Sequence, residues 1–211
     1  MDSKPLGSKT KRVLDIVASV AGLIIFFPLL LLAAILIKLD SKGPVFFIQD
    51  RVGKDGKLFR AYKFRTMTQG AADHGAGLLI EGQDDPRITN VGKFLRRWSL
   101  DELPQLVNIV KGEMSVVGPR PTLLYQVQQY DEFQGRRLEV KPGITGWAQI
   151  HGRNVLSWPE RIEYDVWYVD SWSLRLDIEI ILRTFPVLFK REGLYADKEK
   201  SAIRPQDGKQ R

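Results

Sequence analysis

From Ile16 to Ile37 the chain carries no charged residue. A run of that length lets a helix cross a bilayer, whose hydrocarbon core is about 30 Å thick. If the segment enters lipid it must be helical, because every backbone polar group then has to find its partner within the segment. Pro28 sits near the middle, where a proline removes a backbone hydrogen bond and kinks or breaks a helix. The stretch from Ile16 to Phe27 would reach roughly 18 Å at about 1.5 Å per residue, little more than half of the hydrocarbon core. Lys9, Lys11 and Arg12 precede the run, and Lys38 and Lys42 follow it. Positive charge favours the cytoplasmic side, and here both ends carry it. A segment that enters, turns at Pro28 and returns to the same face fits these features; so does a kinked helix that spans. A secretory signal fits poorly, since the run is too long and no small-residue cleavage pattern follows.

The remainder is polar and basic. Across 211 residues, 32 lysines and arginines face 25 acidic residues, for a net charge of +7 and a pI near 9.6. That balance favours anionic partners. There is no cysteine, which excludes disulfides, thiolate metal sites and thiol nucleophiles. His74 and His151 are the only imidazoles and lie far apart, so a bound metal would be a hard cation held by oxygen.

Residues 43–67 read as a β-hairpin: Val45-Phe46-Phe47-Ile48, a turn at Gly53-Lys54-Asp55-Gly56, then Leu58 to Arg65. With a period of two, Lys63 and Arg65 share a face about 6–7 Å apart, a spacing able to clamp a diphosphate or simply to line a solvated edge. Residues 68–90 read as loop, closed by Asp84-Asp85-Pro86-Arg87, and a short basic helix runs from Gly92 to Trp98. Asp101 and Glu102 follow in Ser99-Leu100-Asp101-Glu102-Leu103-Pro104-Gln105-Leu106, with Arg96 and Arg97 upstream. Adjacent carboxylates ringed by arginines suit a site that handles phosphates and a divalent cation. Asp101 also suits a plain helix N-cap, because Pro104 is tolerated only in a first turn. In Gly118-Pro119-Arg120-Pro121 the flanking rings stiffen the backbone around Arg120, which suits either bidentate phosphate binding or a plain turn with an exposed arginine. Lys141 to Trp147 is a glycine-punctuated loop, and helices are expected over Trp158–Tyr168 and Leu174–Phe189. The stripe Ile178, Ile181, Leu182, Phe185 and Phe189 suits either a core or a lipid interface. No G-x-G-x-x-G, G-x-x-x-x-G-K-[ST] or G-x-S-x-G pattern occurs, which argues against dinucleotide, P-loop and serine-hydrolase chemistry.

Taken in order, these segments resemble the bacterial sugar transferases, the monotopic phosphoglycosyl transferases in their minimal catalytic form. The resemblance covers residues 10 to 195. It rests on the proline-interrupted helix with its basic flank, Tyr62-Lys63-Phe64-Arg65-Thr66-Met67, Asp85-Pro86-Arg87-Ile88-Thr89, the Ser99–Leu106 stretch, Gly112 to Pro121, and Pro142-Gly143-Ile144-Thr145-Gly146-Trp147-Ala148-Gln149. His151 departs from the pattern, where asparagine is frequent. The resemblance implies transfer of a sugar-1-phosphate from a UDP-sugar to a polyprenyl (undecaprenyl) phosphate, with release of UMP, as a membrane step of glycan assembly. It implies Asp101 as nucleophile and Mg²⁺ ligand, Glu102 completing the dyad, and Arg120 on phosphate, with Lys63, Arg65 and Arg87 as further phosphate candidates. Gly146, Gln149 and Arg153 would belong to a loop at the substrate site. The expected fold is α+β: a mostly helical small domain with a short β-hairpin and interfacial amphipathic helices. A re-entrant membrane helix broken at Pro28 would precede it. The expected organisation is a basic terminus and membrane helix over 1–42, a catalytic domain over 43–192 and a polar tail over 193–211. The expected location is the cytoplasmic face of the bacterial inner membrane. Anionic lipids and downstream glycosyltransferases are expected partners, and nucleic acid is not. The competing readings are a magnesium-dependent phosphohydrolase and a non-catalytic binder of anionic lipid.

Overall fold

The structure, a computed structural model, describes residues 9–71, 85–152 and 155–190. The expected tail over 193–211 and the expected site residue Arg153 lie outside them, as does His74.

Helix α1 spans Lys9–Asp40, 32 residues with Pro28 inside it. The expected break at Pro28 is not found, because helical backbone continues on both sides of the ring. A proline costs a helix one N–H donor, a loss that a helix tolerates where the freed carbonyl is satisfied by other means. The helix touches the rest of the molecule near both ends. On its amino-terminal side, Asp15 accepts from Ser115 Oγ (2.8 Å) and the Val116 N–H (3.1 Å). Lys11 pairs with Asp177 at 2.6 Å, and Arg12 donates to the carbonyls of Ile109 and Val110. On its carboxy-terminal side, Ala33 and Ile37 join Phe64 and Leu95 in a buried cluster, and Asp40 accepts from the Val91 N–H at 2.9 Å. Between these attachments Ile24 and Ile25 are each 70% exposed and Phe27 is 63% exposed.

Strands β1 (Phe46–Val52) and β2 (Leu58–Phe64) form the expected antiparallel hairpin, with Phe47 opposite Lys63 and Arg51 opposite Phe59. Asp55 and Gly56 turn the chain with positive φ (56° and 75°). Helix α2 (Asn90–Arg97) starts at Thr89, whose hydroxyl accepts from the Gly92 N–H as an N-cap. A 3₁₀ segment, Leu100–Gln105, runs into α3 (Leu106–Lys111). Strand β3 (Ser115–Val117) pairs in parallel with β4 (Gly143–Thr145). That pairing was not expected, and it sets the Pro119–Pro121 turn against the glycine loop. The short helices α4 (Leu124–Val127), α5 (Glu132–Gly135) and α6 (Trp147–Ile150) lead to α7 (Trp158–Ser171) and α8 (Leu174–Lys190).

The main core joins Val117, Val140, Tyr168, Val169, Leu176 and Ile180, and a second core holds Phe59, Ala61, Ile109 and Met114. Leu176 and Ile180 turn α8 inward, which leaves Ile178, Leu182 and Phe185 on its exposed face. Among the described side chains of the apolar stripe read from the sequence, Ile181 alone packs toward the core.

Candidate active site

The acidic pair lies within the tight 3₁₀ segment. Ser99 enters that segment in the left-handed region (φ 54°, ψ 22°), a costly conformation for a residue with a side chain. Asp101 sits in the first turn, not at the cap, and the segment has no side-chain cap. Capping therefore does not explain Asp101. Among the described residues no hydrogen bond or ion pair ends on its carboxylate, in contrast to its neighbour. Glu102 accepts from Lys63 Nζ at 2.7 Å and from both terminal nitrogens of Arg120, at 2.6 and 3.2 Å.

Environment drives the two carboxyls apart. Burial and the adjacent Glu102 charge push Asp101 up to about 6. Burial pushes Glu102 up as well, but Arg120 and Lys63 outweigh it and hold that carboxyl well below the usual range. In return Glu102 raises Arg120, while burial lowers Lys63.

Four successive carbonyls fix the backbone beneath Arg120. Pro119 accepts from the Gly143 N–H (2.9 Å), Arg120 from Arg137 (3.1 Å), Pro121 from Arg51 (3.3 Å) and Thr122 from the Val52 N–H (2.9 Å). The close passage of β3 and β4 permits this. A Cβ on Gly146 would stand 2.2 Å from the Gly118 carbonyl oxygen, so that glycine serves backbone-to-backbone packing.

A cavity of about 760 Å³ opens over the pair, large enough for a sugar nucleotide. Asp101, Glu102, Lys63, Arg96 and Arg120 line it, and Phe26, Phe46, Phe47 and Leu188 give it an apolar wall. Phe26 belongs to α1, so the apolar helix is part of the site. Arg96 is held by Thr66 at 2.7 Å.

Other expected site residues fare differently. Arg65 borders the cavity, but its guanidinium donates to the carbonyls of Ser41 and Lys42 and so clamps the end of α1. It lies one residue beyond β2, where the period of two no longer aims side chains. Arg87 is not among the lining residues: it makes a two-point pair with Asp85 and donates to the Ala71 carbonyl. The carboxylate two residues upstream takes its charge. Gln149 does line the cavity, and both its amide atoms are buried without a partner among the described residues. Arg51 and Arg161 also line it, and the sequence reading passed over them. The signal for Arg51 was its strand phase, in step with Phe47 and Gln49, which line the same cavity.

The donor set suits a magnesium ion only in part. Among the described residues no three carboxylates or imidazoles cluster. The free oxygens of Asp101, with Glu102 beside it, match the one or two carboxylates that Mg²⁺ takes when substrate phosphates complete its shell.

Comparison with known proteins places the chain in a family. The model of the family described as bacterial sugar transferase matches residues 6–191. An uncharacterized sugar transferase, EpsL of Bacillus subtilis, is 45% identical over 92% of this chain and 94% of its own length. A UDP-N-acetylgalactosamine-undecaprenyl-phosphate N-acetylgalactosaminephosphotransferase of Aeromonas hydrophila is 46% identical over 90% of this chain but only 46% of its own length. An undecaprenyl-phosphate galactose phosphotransferase of Salmonella typhimurium is 41% identical over 88% of this chain and 41% of its own. The chain thus spans nearly all of the first relative and under half of the other two, and it belongs to the bacterial sugar transferase family.

Proposed function

We propose that this chain transfers a sugar-1-phosphate from a UDP-sugar to a polyprenyl phosphate at the cytoplasmic membrane face, for glycan assembly. The observation that carries the reading is the Asp101 carboxylate on the cavity, unpartnered among the described residues, beside a Glu102 already engaged by two cations. Two relatives bear names with this activity on undecaprenyl phosphate.

An Asp101 oxygen attacks the phosphorus that bears the sugar. The bond from that phosphorus to the bridging oxygen breaks, and UMP leaves with the electron pair. The resulting acyl phosphate is attacked at the same phosphorus by an oxygen of the polyprenyl phosphate. The bond to Asp101 breaks, the carboxylate is restored, and a sugar diphosphate on lipid is released. The acceptor oxygen is already ionised, so the site has to position and neutralise more than it has to deprotonate. Arg120 and Lys63 supply fixed positive charge, and Glu102 holds both in place. Asp101 would be the protein ligand of Mg²⁺, which neutralises diphosphate charge when bound.

The chain carries a helix long and apolar enough to cross a membrane. A re-entrant path for it is supported by its attachments. A helix tied near both ends to one domain does not put those ends on opposite sides of a core about 30 Å thick. The exposed faces of α1 and α8 suit the lipid interface.

Enzyme, Mg²⁺ and a panel of UDP-sugars without lipid should give UMP up to about one equivalent and a mass increase on Asp101. Continuous UMP release without acceptor would make the protein a hydrolase. No adduct, with intersecting kinetics, would leave Asp101 only a metal ligand. Single cysteines at Ser3 and Ser41, against a background of no native cysteine, should both label only from the cytoplasmic side. Labelling of Ser3→Cys from outside would establish a spanning helix.

A further inference from the structure

The cation cluster around Glu102 is larger than that carboxylate can balance. Arg51 comes from β1, on the opposite strand from Lys63, and lines the same cavity. One terminal nitrogen donates to the Pro121 carbonyl (3.3 Å) and the other to Gln49 Oε1 (2.6 Å). Both partners are neutral. Among the described residues no ion pair reaches Arg51, whereas Lys63 and Arg120 both take their counter-charge from Glu102. Asp101 and Glu102 both bear on Lys63 and Arg120, so these three cations face two carboxylates, and Arg51 is the cation left over. Buried positive charge without a counter-ion is costly unless a ligand supplies the anion. The groups that act on Arg51 electrostatically are Arg120, Glu102 and the Tyr125 phenol, and burial with the repulsion from Arg120 pulls it down to about 10.

We infer that Arg51 is a substrate-binding residue whose guanidinium, fixed by Pro121 and Gln49 beside Arg120, holds a phosphoryl oxygen of a substrate. A guanidinium held by neutral acceptors on one side keeps its remaining N–H groups for such a ligand. The inference rests on the transferase reading for the identity of the ligand. The phosphoryl oxygen belongs either to the donor's nucleoside diphosphate or to the acceptor's phosphate monoester.

Binding can be read without knowing the sugar and without turnover. The probes are UDP, which carries the donor's diphosphate, and farnesyl phosphate, which carries the acceptor's headgroup. Each is titrated into the full-length protein in detergent by calorimetry. Arg51→Gln should weaken one probe by about ten- to a hundred-fold and leave the other within about two-fold. A loss on UDP assigns Arg51 to the donor, and a loss on farnesyl phosphate assigns it to the acceptor. Arg51→Lys keeps the charge and should recover part of the lost affinity, with binding steeper in salt than for Arg51→Gln. Unchanged affinity for both probes in a folded Arg51→Gln protein would overturn the inference. Equal losses on both probes in Arg51→Gln and Arg51→Lys, tracking a fall in Tm, would also overturn it and leave Arg51 as a brace for Pro121. If Arg51→Gln does not fold, Arg51→Lys decides: wild-type affinity and wild-type salt dependence for both probes would overturn the inference. Since binding is read and not UMP release, a failure of the transferase reading leaves these outcomes distinct.

Discussion

Two arginine–carboxylate centres stand on either side of the Arg120 backbone, and they are built on opposite principles. Arg137 and Asp165 pair with side chains 1% exposed each; Arg137 also donates to the Tyr130 hydroxyl and the Arg120 carbonyl, and its guanidinium lies 5.6 Å from the Trp158 ring. The pair is shut away from water, and Arg161, over the same Trp158 ring, also bears on the Asp165 carboxylate. Around Glu102, Arg120 keeps a side chain 41% exposed, and the Asp101 carboxylate is left without a partner among the described residues. The sealed pair in the first centre holds a segment still, while the second centre stays open to a ligand. A hydrogen bond from Arg137 to the carbonyl of Arg120 joins the two.

The largest effect should come from the open centre. Asp101→Asn should lower UMP release by at least about a thousand-fold with the fold intact, since an amide keeps the shape and loses the nucleophile. Near-normal turnover in a folded protein would erase the distinction between the centres. Next should come the sealed pair: Asp165→Ala leaves a buried guanidinium without its counter-charge and should cost about 3–5 kcal/mol of stability, read by denaturant or thermal unfolding. A loss under about 1 kcal/mol would mean that water reaches Arg137.

A smaller effect of opposite sign sharpens the contrast. The folded Asp101 carboxyl, at about 6, lies above its ordinary value of 3.8, so the folded state holds its proton more firmly than the unfolded state. The native protein should therefore gain stability as pH falls from 7 through 6 toward 4, and above 6 the buried charge opposes folding. Asp101→Asn removes that charge. In magnesium-free buffer it should stabilise the protein by about 1–2 kcal/mol at pH 7–8, with the difference fading toward pH 4. A variant less stable than native at pH 8 would contradict it. The smallest effect is expected at Arg136, whose pair with Asp170 is exposed on both sides. Arg136→Ala should change stability by less than about 1 kcal/mol, and the difference should shrink further in high salt.

What could be read from the sequence depended on how far each residue's partner lies along the chain. The hairpin was legible because alternation and its turn residues are local, and they aim Lys63 correctly at Glu102. The acidic pair was legible as a site only with the whole order of motifs, since Asp101 alone reads as a cap. Arg65 was misread because its acceptors, Ser41 and Lys42, belong to the end of α1. Arg87 was misread although its partner Asp85 stood two residues away. The β3–β4 pairing left no signal, since three-residue strands carry no periodicity and their register links Ser115 to Gly143. Asn108, seven residues after Asp101, gave no sign in the sequence that it is buried and ties Tyr62, Arg60 and Glu113 together. Pro28 pointed to a broken helix, and the helix continues through it.

Helix α1 is not a detachable anchor. Ala33 and Ile37 fill part of a core, Lys11 balances an Asp177 that also binds Tyr168 and Trp172, and Asp15 satisfies Ser115 and the Val116 N–H. Cutting the chain after Asp40 to obtain a soluble version would open a cavity against Phe64 and Leu95 and strip a buried carboxylate of its cation. Solubilising this protein therefore calls for redesigning the outward face of the helix, at Ile24, Ile25 and Phe27, while its inward face is kept.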